Sequence, residues 1–452
     1  MKRCALVFAT IACLALAAGC GGGSSSPGGG SSFGKGKHQP VTLTIWSGFT
    51  APDEKRIFDK GLNRFHAKYP WITVKSLGFN SDQLDQKIIK AVKGGNPPDA
   101  VLSFGPDFVG AYCSAGTLID LQPYIERDHV DTTQFPKAAF QYTRFDGKQC
   151  ALPELTDAYG LYYNKDLLAK AGITSLPKTM SELMTDAKKL TQRNADGSIK
   201  VIGFMPAGAD NGGYGQLGIS DLAHSWDGKW FSSPGQPAIA TDSAWTQAFE
   251  WQKQLVDYYG FDNLTKFVSG LGDEFSASNA FENGKIAMIF DGEWRVAFIQ
   301  REHPELNYGT AFFPAADDHP EMYGSGRIGG SIMGVPKGTP HQEEAWQLVK
   351  FMATDTKNLV DLANKLGNVP TTNAALHASL TLPPTFDVFL KVFANGHSAF
   401  YPPLEPGGSG YADPLTNYDS KWVAGNGGDL ASSLQTVTGQ MKDQLQLGQG
   451  PP

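Results

Sequence analysis

Strand-like and helix-like segments alternate from residue 41 onward, and this alternation constrains the fold more than any other feature of the chain. β-branched and aromatic residues are concentrated in 41–46, 72–77 and 100–102, whereas the segments between them carry apolar residues at helical spacing. Strands that alternate with helices of this length predict an α/β fold with mainly parallel sheets. The helical stripes consist of Phe58, Leu62, Phe65 and Tyr69, then Leu84, Ile88 and Val92.

Local signals predict further helices downstream. Thr179 with Glu182 three residues later matches a capping box. Gly at a helix end and Pro at a first helical position mark other boundaries. These signals predict a helix over 243–259 that stops at Gly260, a helix that begins at Thr339-Pro340-His341-Gln342, and a last helix over 430–445.

The length and the charge of the chain limit its domain count and its partners. A chain of 452 residues exceeds what one hydrophobic core usually accommodates, so two domains are expected. The formal net charge is −7, and it becomes about −9 when Lys2 and Arg3 are removed with the N-terminus. Nucleic acid and anionic lipid surfaces both require basic patches, so neither is expected as a partner.

The N-terminus has the pattern of an export signal. Met1-Lys2-Arg3 precedes an apolar run over 5–18, which is too short to span a bilayer, and small residues follow. Ala17-Ala18-Gly19-Cys20 resembles a bacterial lipobox, although Leu16 stands one position early, so we expect a signal peptide over 1–19 and lipidation of Cys20. Ordinary cleavage nearby is the alternative. Residues 20–40 are then a lipid anchor and a Gly/Ser-rich tether.

Cys113 and Cys150 are the cysteines that remain beyond the signal and Cys20. In an oxidising, exported setting an isolated pair predicts a disulfide, and two buried thiols are the alternative. The spacing of these cysteines resembles no metal site.

Five strings, taken in order, resemble one family: the extracellular solute-binding proteins of carbohydrate ABC importers, the maltose-binding-protein-like group. Each string is loose alone, but together they cover the chain from about residue 41 to its end. The strings are Tyr163-Asn164-Lys165-Asp166-Leu167-Leu168, Phe281-Glu282-Asn283-Gly284-Lys285-Ile286-Ala287-Met288 with Asp291-Gly292-Glu293-Trp294, Gly329-Gly330-Ser331, Glu343-Glu344-Ala345-Trp346, and Leu366-Gly367-Asn368-Val369-Pro370-Thr371.

The resemblance implies a two-lobed, periplasmic-binding-protein-like α/β fold of type II, with three chain crossings near Glu154, Pro314 and Asn368. Lobe one would comprise 41–154 and 317–368, and lobe two 155–316 and 369–452. A sugar would bind between the lobes and be delivered to the ABC permease. The resemblance implies a monomer without catalytic residues or cofactor, held by lipid at the outer face of the bacterial cytoplasmic membrane.

A sugar site needs flat aromatic rings for stacking and carboxylates, amides or arginines for paired hydrogen bonds. We select candidates by their position at strand ends, at the crossings or in family strings. In an extended segment, Asp291 and Glu293 would project to the same side. The candidates are Trp46, Phe49, Asn80, Asp82, Phe104, Asp107, Asp157, Trp226, Asp291, Glu293, Trp294, Arg327, Gly329, Gly330 and Tyr411.

Other classes of function receive less support. Gly324 to Gly329 spells G-x-G-x-x-G, but a strand-like segment follows it instead of the helix that a dinucleotide site requires. A glycerol phosphate or glycerophosphodiester ligand is an alternative, with Arg327 as the candidate phosphate contact. A secreted glycoside hydrolase is an alternative of another class, because paired carboxylates and aromatic residues also suit that chemistry.

Overall fold

A computed structural model describes Phe33 and residues 38–209, 216–272 and 274–448. The predicted signal peptide, Cys20 and most of the tether lie outside these residues and remain predictions. Within the described part of the chain, no helix is both long enough and apolar enough to cross a bilayer.

Strands and helices alternate along most of the described chain. The strands are β1 (Val41–Ser47), β2 (Ile72–Gly78), β3 (Ala100–Ser103), β4 (Arg144–Phe145), β5 (Lys148–Gln149), β6 (Leu152–Pro153), β7 (Leu155–Thr156), β8 (Tyr159–Asn164), β9 (Gln192–Arg193), β10 (Ile199–Phe204), β11 (Phe231–Ser233), β12 (Gln236–Pro237), β13 (Ile286–Gly292), β14 (Tyr308–Ala311), β15 (Ile332–Gly334) and β16 (Val369–Pro370). The α-helices are α1 (Pro52–Lys68), α2 (Ser81–Lys93), α3 (Val109–Ser114), α4 (Gln122–Arg127), α5 (Lys137–Gln141), α6 (Lys165–Lys170), α7 (Met180–Leu190), α8 (Ile219–His224), α9 (Ser243–Tyr259), α10 (Phe261–Val268), α11 (Arg295–Glu302), α12 (Gln342–Thr354), α13 (Thr356–Leu366), α14 (Asn373–Leu376), α15 (Asp387–Ala394), α16 (Asp413–Val423) and α17 (Leu430–Gly448).

Two five-stranded sheets define two lobes. Lobe one is built on the order β2-β1-β3-β15-β6, and lobe two on the order β14-β8-β13-β10-β9. In lobe one, β1 pairs in parallel with β2 and β3, whereas β15 runs antiparallel to its neighbours. In lobe two, β10 is parallel to β13, and the remaining pairs are antiparallel. The two-lobed α/β fold is as predicted.

The sheets are mixed, so the expectation of mainly parallel sheets was wrong. Of the antiparallel strands, β15 and β8 each follow a passage of the chain from the other sheet, whereas β9 forms a short hairpin with β10. A strand that enters a sheet in this way is not preceded by a right-handed βαβ crossover within that sheet, and nothing requires it to run parallel. The local alternation of strand and helix therefore does not fix strand direction after a crossing.

Three chain segments lie side by side between the lobes and form the hinge. The first is 154–159, which links β6 to β8. Residues 327–331 run antiparallel to it, with Ser331 N donating to Leu155 O at 2.9 Å and Gly329 N donating to Asp157 O at 3.0 Å. On the other side, β16 pairs with β7.

Two crossings lie later in the chain than we expected. Ser181 Oγ donates to Asp317 Oδ2 at 2.8 Å, and Ser325 Oγ lies 3.1 Å from His224 Nε2, so the chain after residue 317 still packs on lobe two. Likewise, α14 remains with lobe one, where Asn373 Nδ2 donates to Thr133 O at 3.1 Å. The boundaries at 317 and 369 are therefore not where the chain changes lobe, because loop segments pack on a lobe beyond its last strand.

Local helix signals were mostly reliable. The capping box at Thr179 is formed, and α9 ends at Gly260 as predicted. Thr339 does not cap α12, which begins later, at Gln342. The Thr339 hydroxyl instead donates to Asp99 Oδ1 at 2.5 Å.

Cys113 and Cys150 form a disulfide, as predicted. Both residues are buried, and the bond ties α3 to the end of β5 in lobe one. It closes a loop with a sequence separation of 37 residues. A cross-link of that span restricts the unfolded chain and so stabilises the folded lobe.

Loss of this disulfide is expected to lower the free energy of unfolding by about 4 kcal/mol on the chain-entropy account. Urea unfolding of the Cys113→Ala/Cys150→Ala double variant measures the loss directly. Wild-type protein in dithiothreitol serves as the matched control, because it should unfold near the same urea concentration as the variant. Equal midpoints for variant and untreated wild type would contradict the account.

Candidate functional site

A pair of carboxyl groups lies at the junction of the hinge and lobe two. Asp157 belongs to the first crossing, Glu293 directly follows β13, and Asn368 directly precedes β16. Asn368 Nδ2 donates to Asp157 Oδ1 at 3.0 Å and to Glu293 Oε1 at 2.8 Å. Glu293 Oε2 also accepts from Ala158 N at 2.8 Å. One amide thus joins two carboxyl groups that come from distant parts of the sequence.

Burial and proximity raise the pKa values of this pair. Burial raises the pKa of Asp157 to about 6, and Asn368 partly offsets this rise. Burial, followed by the nearby charge of Asp157, raises the pKa of Glu293 well above its usual range. Two carboxylates this close disfavour double ionisation, so at neutral pH the pair retains a proton. The retained proton joins the two carboxyl groups, because Asp157 and Glu293 are hydrogen-bonded to each other.

Trp294 supplies an aromatic wall beside the carboxyl pair. Its ring meets Tyr159 edge to face, with centroids 5.3 Å apart. The ring lies against Gly292, where an added Cβ would stand 2.2 Å from it, so glycine is required at this strand end. Trp294 Nε1 is buried and has no hydrogen-bond partner among the described residues. The indole thus offers both a flat face and an unused donor.

Arg327 lies over the ring of Tyr159. Its guanidinium carbon is 4.0 Å from the Tyr159 ring centroid, and Nη2 donates to Gln216 O at 2.8 Å. Its Nε lies 3.5 Å from Asp221 Oδ1, which accepts from the Tyr401 hydroxyl at 2.7 Å. Arg327 is therefore held in place by lobe two itself.

Lobe one contributes aromatic residues at the carboxyl ends of its parallel strands, where α/β sheets leave a binding crevice. Trp46 at the end of β1 packs on Phe79 with centroids 4.9 Å apart, and the Lys87 ammonium lies 4.3 Å from the Phe79 ring centroid. Phe104, directly after β3, is 38% exposed. These rings can meet the apolar faces of a sugar.

A cavity of about 340 Å³ also lies between the lobes. It is bounded by the first turn of α1 from lobe one, by α11 directly after Trp294, and by the chain around Gly367 beside Asn368. Both helices follow strands at the crevice edge of their sheets. The cavity is therefore next in sequence to Trp294 and Asn368, but neither these residues nor the carboxyl pair lines it.

Asp291 is not part of this cluster, although we expected it beside Glu293. It is buried and accepts from Arg295 Nε at 2.7 Å. The reason is that β13 ends at Gly292 and the chain then turns into α11, so the extended geometry that would align Asp291 with Glu293 stops between them.

Three other candidates pack into the interior, and we do not propose them as ligand contacts. Phe49 packs on Phe58 and Phe104, with centroids 5.1 Å and 4.9 Å away. Trp226 is 8% exposed within the core of lobe two. Tyr411 is 3% exposed, and its hydroxyl donates to Pro403 O at 2.8 Å. Aromatic residues fill cores more often than sites, and sequence position alone did not separate the two.

The remaining candidates occupy the hinge or the rim of lobe one. Gly329 uses its N–H in the hinge ladder, and Gly330 lies so close to Leu155 O that a Cβ would approach within 2.4 Å, so their backbone groups serve the hinge. Asn80 is exposed directly before α2, and Asp82 lies in the first turn of that helix. Asp107 bonds to a residue of lobe two, as described below.

Sequence reasoning missed four members of the site: Asn368, Tyr159, Tyr401 and Phe79. Asn368 stood inside a recognised string, but its partners lie 211 and 75 residues away. Tyr159 precedes another recognised string by a few residues. Tyr401 and Phe79 carry no local signal that distinguishes them from core aromatic residues.

The family assignment rests on a match over most of the chain. A model of the bacterial extracellular solute-binding protein family matches residues 51–358. The chain belongs to this family. The diacetylchitobiose binding protein DasA of Streptomyces coelicolor is 28% identical over 370 residues, which are 79% of this chain and 79% of that protein. A maltooligosaccharide ABC transporter solute-binding lipoprotein of Streptococcus pneumoniae is 26% identical over 297 residues, 63% of this chain and 62% of that protein.

The solved structure of a sugar-bound protein, CpMnBP1, superposes on nearly all of the described residues. CpMnBP1 with mannotriose bound has a TM-score of 0.76 and 26% sequence identity, and it covers 89% of this chain and 100% of its own. The two-lobed architecture is therefore that of a solute-binding protein.

Proposed function

We propose that the protein is the substrate-binding component of an ABC importer and that it binds a neutral oligosaccharide between its lobes before delivery to the membrane permease. The observation that carries this proposal is the Asp157–Glu293–Asn368 cluster beside Trp294. Asp157 and Trp294 are only partly buried, so a hydrogen-bonding carboxyl group and an aromatic face are open to a sugar ring, whereas the fully buried Glu293 holds Asp157 in place through Asn368. Relatives of this chain carry names that include diacetylchitobiose, maltooligosaccharide and mannotriose, and this supports the ligand class.

Closure about the hinge would couple binding to transport. A ligand that contacts Trp294 on lobe two and Trp46 or Phe104 on lobe one stabilises the state in which the lobes are close together. The equilibrium then shifts in proportion to the ligand's preference for that state. The permease would recognise the closed form.

We also propose export and attachment at the outer face of the cytoplasmic membrane through Cys20. The membership in an extracellular family and the lipoprotein name of the pneumococcal relative support this location. Mass spectrometry of the membrane fraction should detect a diacylglyceryl-modified N-terminal peptide that begins at Cys20. A Cys20→Ala variant recovered in the medium would support the same conclusion.

The other ligand and reaction classes are less well supported by the site. Arg327 is occupied by Tyr159, Asp221 and the Gln216 carbonyl, so it offers a phosphate little more than its exposed edge. Asp157 and Glu293 share one amide and interact directly, whereas the two carboxyl groups of a glycosidase flank the scissile bond from opposite sides. The pair therefore suits binding of hydroxyl groups better than hydrolysis.

A thermal-shift panel with mannotriose, maltotriose and diacetylchitobiose tests the proposed function. A ligand present at 100 times its dissociation constant adds about 2.7 kcal/mol of stability, which raises the unfolding temperature measurably. Incubation with the same sugars and product analysis provides the check for turnover. Stabilisation without turnover is expected; absence of stabilisation by every sugar, or robust hydrolysis, would count against the proposal.

Trp294→Ala is expected to weaken binding of the stabilising sugar about 100-fold, because it removes the stacking face and the unused indole donor. Isothermal titration calorimetry measures the change. Trp71→Ala is the matched control, since Trp71 stacks on His38 at the far end of lobe one with ring centroids 4.0 Å apart and its Nε1 also has no partner within the described part of the chain. Equal losses in the two variants would show that Trp294 acts through stability only.

A further inference from the structure

Asp107, expected from the sequence to contact ligand, instead bonds to the opposite lobe. Ser409 Oγ donates to Asp107 Oδ2 at 2.5 Å. Asp107 follows β3 of lobe one in a short 3-10 helix. Ser409 belongs to the chain that packs on lobe two, where Ala399 bridges Arg327 and the Tyr401 hydroxyl bonds Asp221. The bond therefore spans the two lobes.

The backbones of the two lobes also meet directly beside this bond. A Cβ at Gly110 would stand 2.2 Å from Glu405 O, 2.8 Å from Glu405 C and 2.9 Å from Glu405 N. All three are backbone atoms, which cannot rotate away as a side chain would. Only glycine at position 110 allows α3 to approach the chain around Glu405 this closely.

We propose that the Asp107–Ser409 hydrogen bond, together with the close approach at Gly110, is a latch between the lobes that sets the lifetime of the closed state without contacting the ligand. The inference rests on the proposed function, because it concerns closure of the same binding cleft. Asp107 is then a positioning residue. The contact exists only when the lobes are together, so its loss speeds ligand release and leaves ligand association nearly unchanged.

Burial supports this assignment. Burial raises the pKa of Asp107, and the Ser409 hydroxyl opposes that rise by donating to the carboxylate. In an opened protein, water would hydrate the carboxylate. In the closed protein, Ser409 is the side chain that donates to it, so removal of this donor penalises the closed state alone.

A disulfide-trapping experiment on the full chain tests the latch without any ligand. The Asp107→Cys/Ser409→Cys double variant is oxidised, and peptide mapping by mass spectrometry quantifies the link between positions 107 and 409. The control pair is Asp107→Cys/Ser420→Cys, since the Ser420 hydroxyl bonds back to Thr416 O within its own helix at 3.4 Å. Efficient linkage of the first pair alone is expected. Absence of the 107–409 link, or equal linkage in both pairs, overturns the proposal.

Single substitutions then test the effect on closure. With mannotriose as the probe in stopped-flow fluorescence, Ser409→Ala is expected to raise the dissociation rate about tenfold with little change in the association rate. Gly110→Ala should give a larger effect and should suppress the 107–409 link in the cysteine background. Gly439→Ala on α17 is the control, because a Cβ there meets nothing within 4 Å.

The outcomes separate this inference from the proposed function. If mannotriose and the other sugars do not bind but the cysteine pair links and Gly110→Ala suppresses linkage, the latch stands and the ligand assignment fails. If sugar binds normally while Gly110→Ala leaves both the linkage and the release rate unchanged, the latch fails and the proposed function stands.

Discussion

Replacement of Arg295 by methionine is expected to lower the free energy of unfolding by about 3–5 kcal/mol, because it removes the cation from a buried charge cluster. Arg295 is fully buried at 0% exposure. Its Nε donates to Asp291 Oδ2 at 2.7 Å, and its Nη1 donates to Glu282 Oε1 at 3.1 Å and to Glu274 O at 3.0 Å. Without the guanidinium, buried carboxylates lose their compensating charge.

Urea unfolding measures this loss. Arg144→Met is the matched control, because Arg144 lies exposed in β4. The triple variant Arg295→Met/Asp291→Asn/Glu282→Gln should recover part of the stability, since neutral amides no longer need a cation. A triple variant as unstable as Arg295→Met alone would show that packing of the arginine stem, and not its charge, accounts for the loss.

The same substitution is expected to alter ligand binding only modestly. Arg295 directly follows Trp294, but its buried side chain bonds to carboxylates of lobe two, and the rings of Phe275 and Phe298 cover its guanidinium carbon at 5.7 Å and 5.3 Å. Arg295 thus fixes the first turn of α11 to the rest of lobe two through these bonds. Arg295 affects the site through the stability of this helix and not through contact with ligand.

The sequence predicted those features of the fold that local patterns determine. The period of apolar residues located α1 and α2, and the capping box located α7. Strand direction in lobe two could not be predicted in this way, because β8 enters its sheet from the hinge. That direction depends on which sheet the chain joins, and a local pattern does not carry this information.

The candidate site was predicted in part, for a related reason. Asp157, Glu293 and Trp294 were selected by their position in or near family strings, and the structure brings them together. Asp291 was misassigned because one turn after Gly292 redirects the chain, and Asn368 was missed because it bonds to residues far away in sequence. Contacts between residues so far apart in the sequence depend on how the hinge segments pack side by side.

The protein is expected to be more stable at pH 5 than at pH 8, because acids buried in and beside the hinge favour their protonated forms. Glu154 is fully buried between the crossings, where Oε2 accepts from Ser331 Oγ at 2.9 Å and Oε1 has no partner among the described residues. Burial raises its pKa from 4.5 to about 7. Burial also raises the pKa of Asp157 from 3.8 to about 6.

At pH values between the unfolded and the folded pKa values of Glu154 and Asp157, the folded state therefore binds more protons than the unfolded chain. Stability is greatest below the unfolded pKa values and falls as the pH rises through 4 to 7, by about 3 kcal/mol for Glu154 alone. Glu154→Gln should remove only the share of Glu154, about 3 kcal/mol, because the buried acids Asp157, Glu293 and Asp419 also have raised pKa values and retain theirs. Unfolding free energies measured in urea at pH 5 and pH 8 give the comparison, with Glu250→Gln on the exposed face of α9 as the control. A Glu154→Gln variant with the same pH dependence as wild type would mean that the hinge carboxyl is ionised in the folded protein and that water or a cation reaches it there.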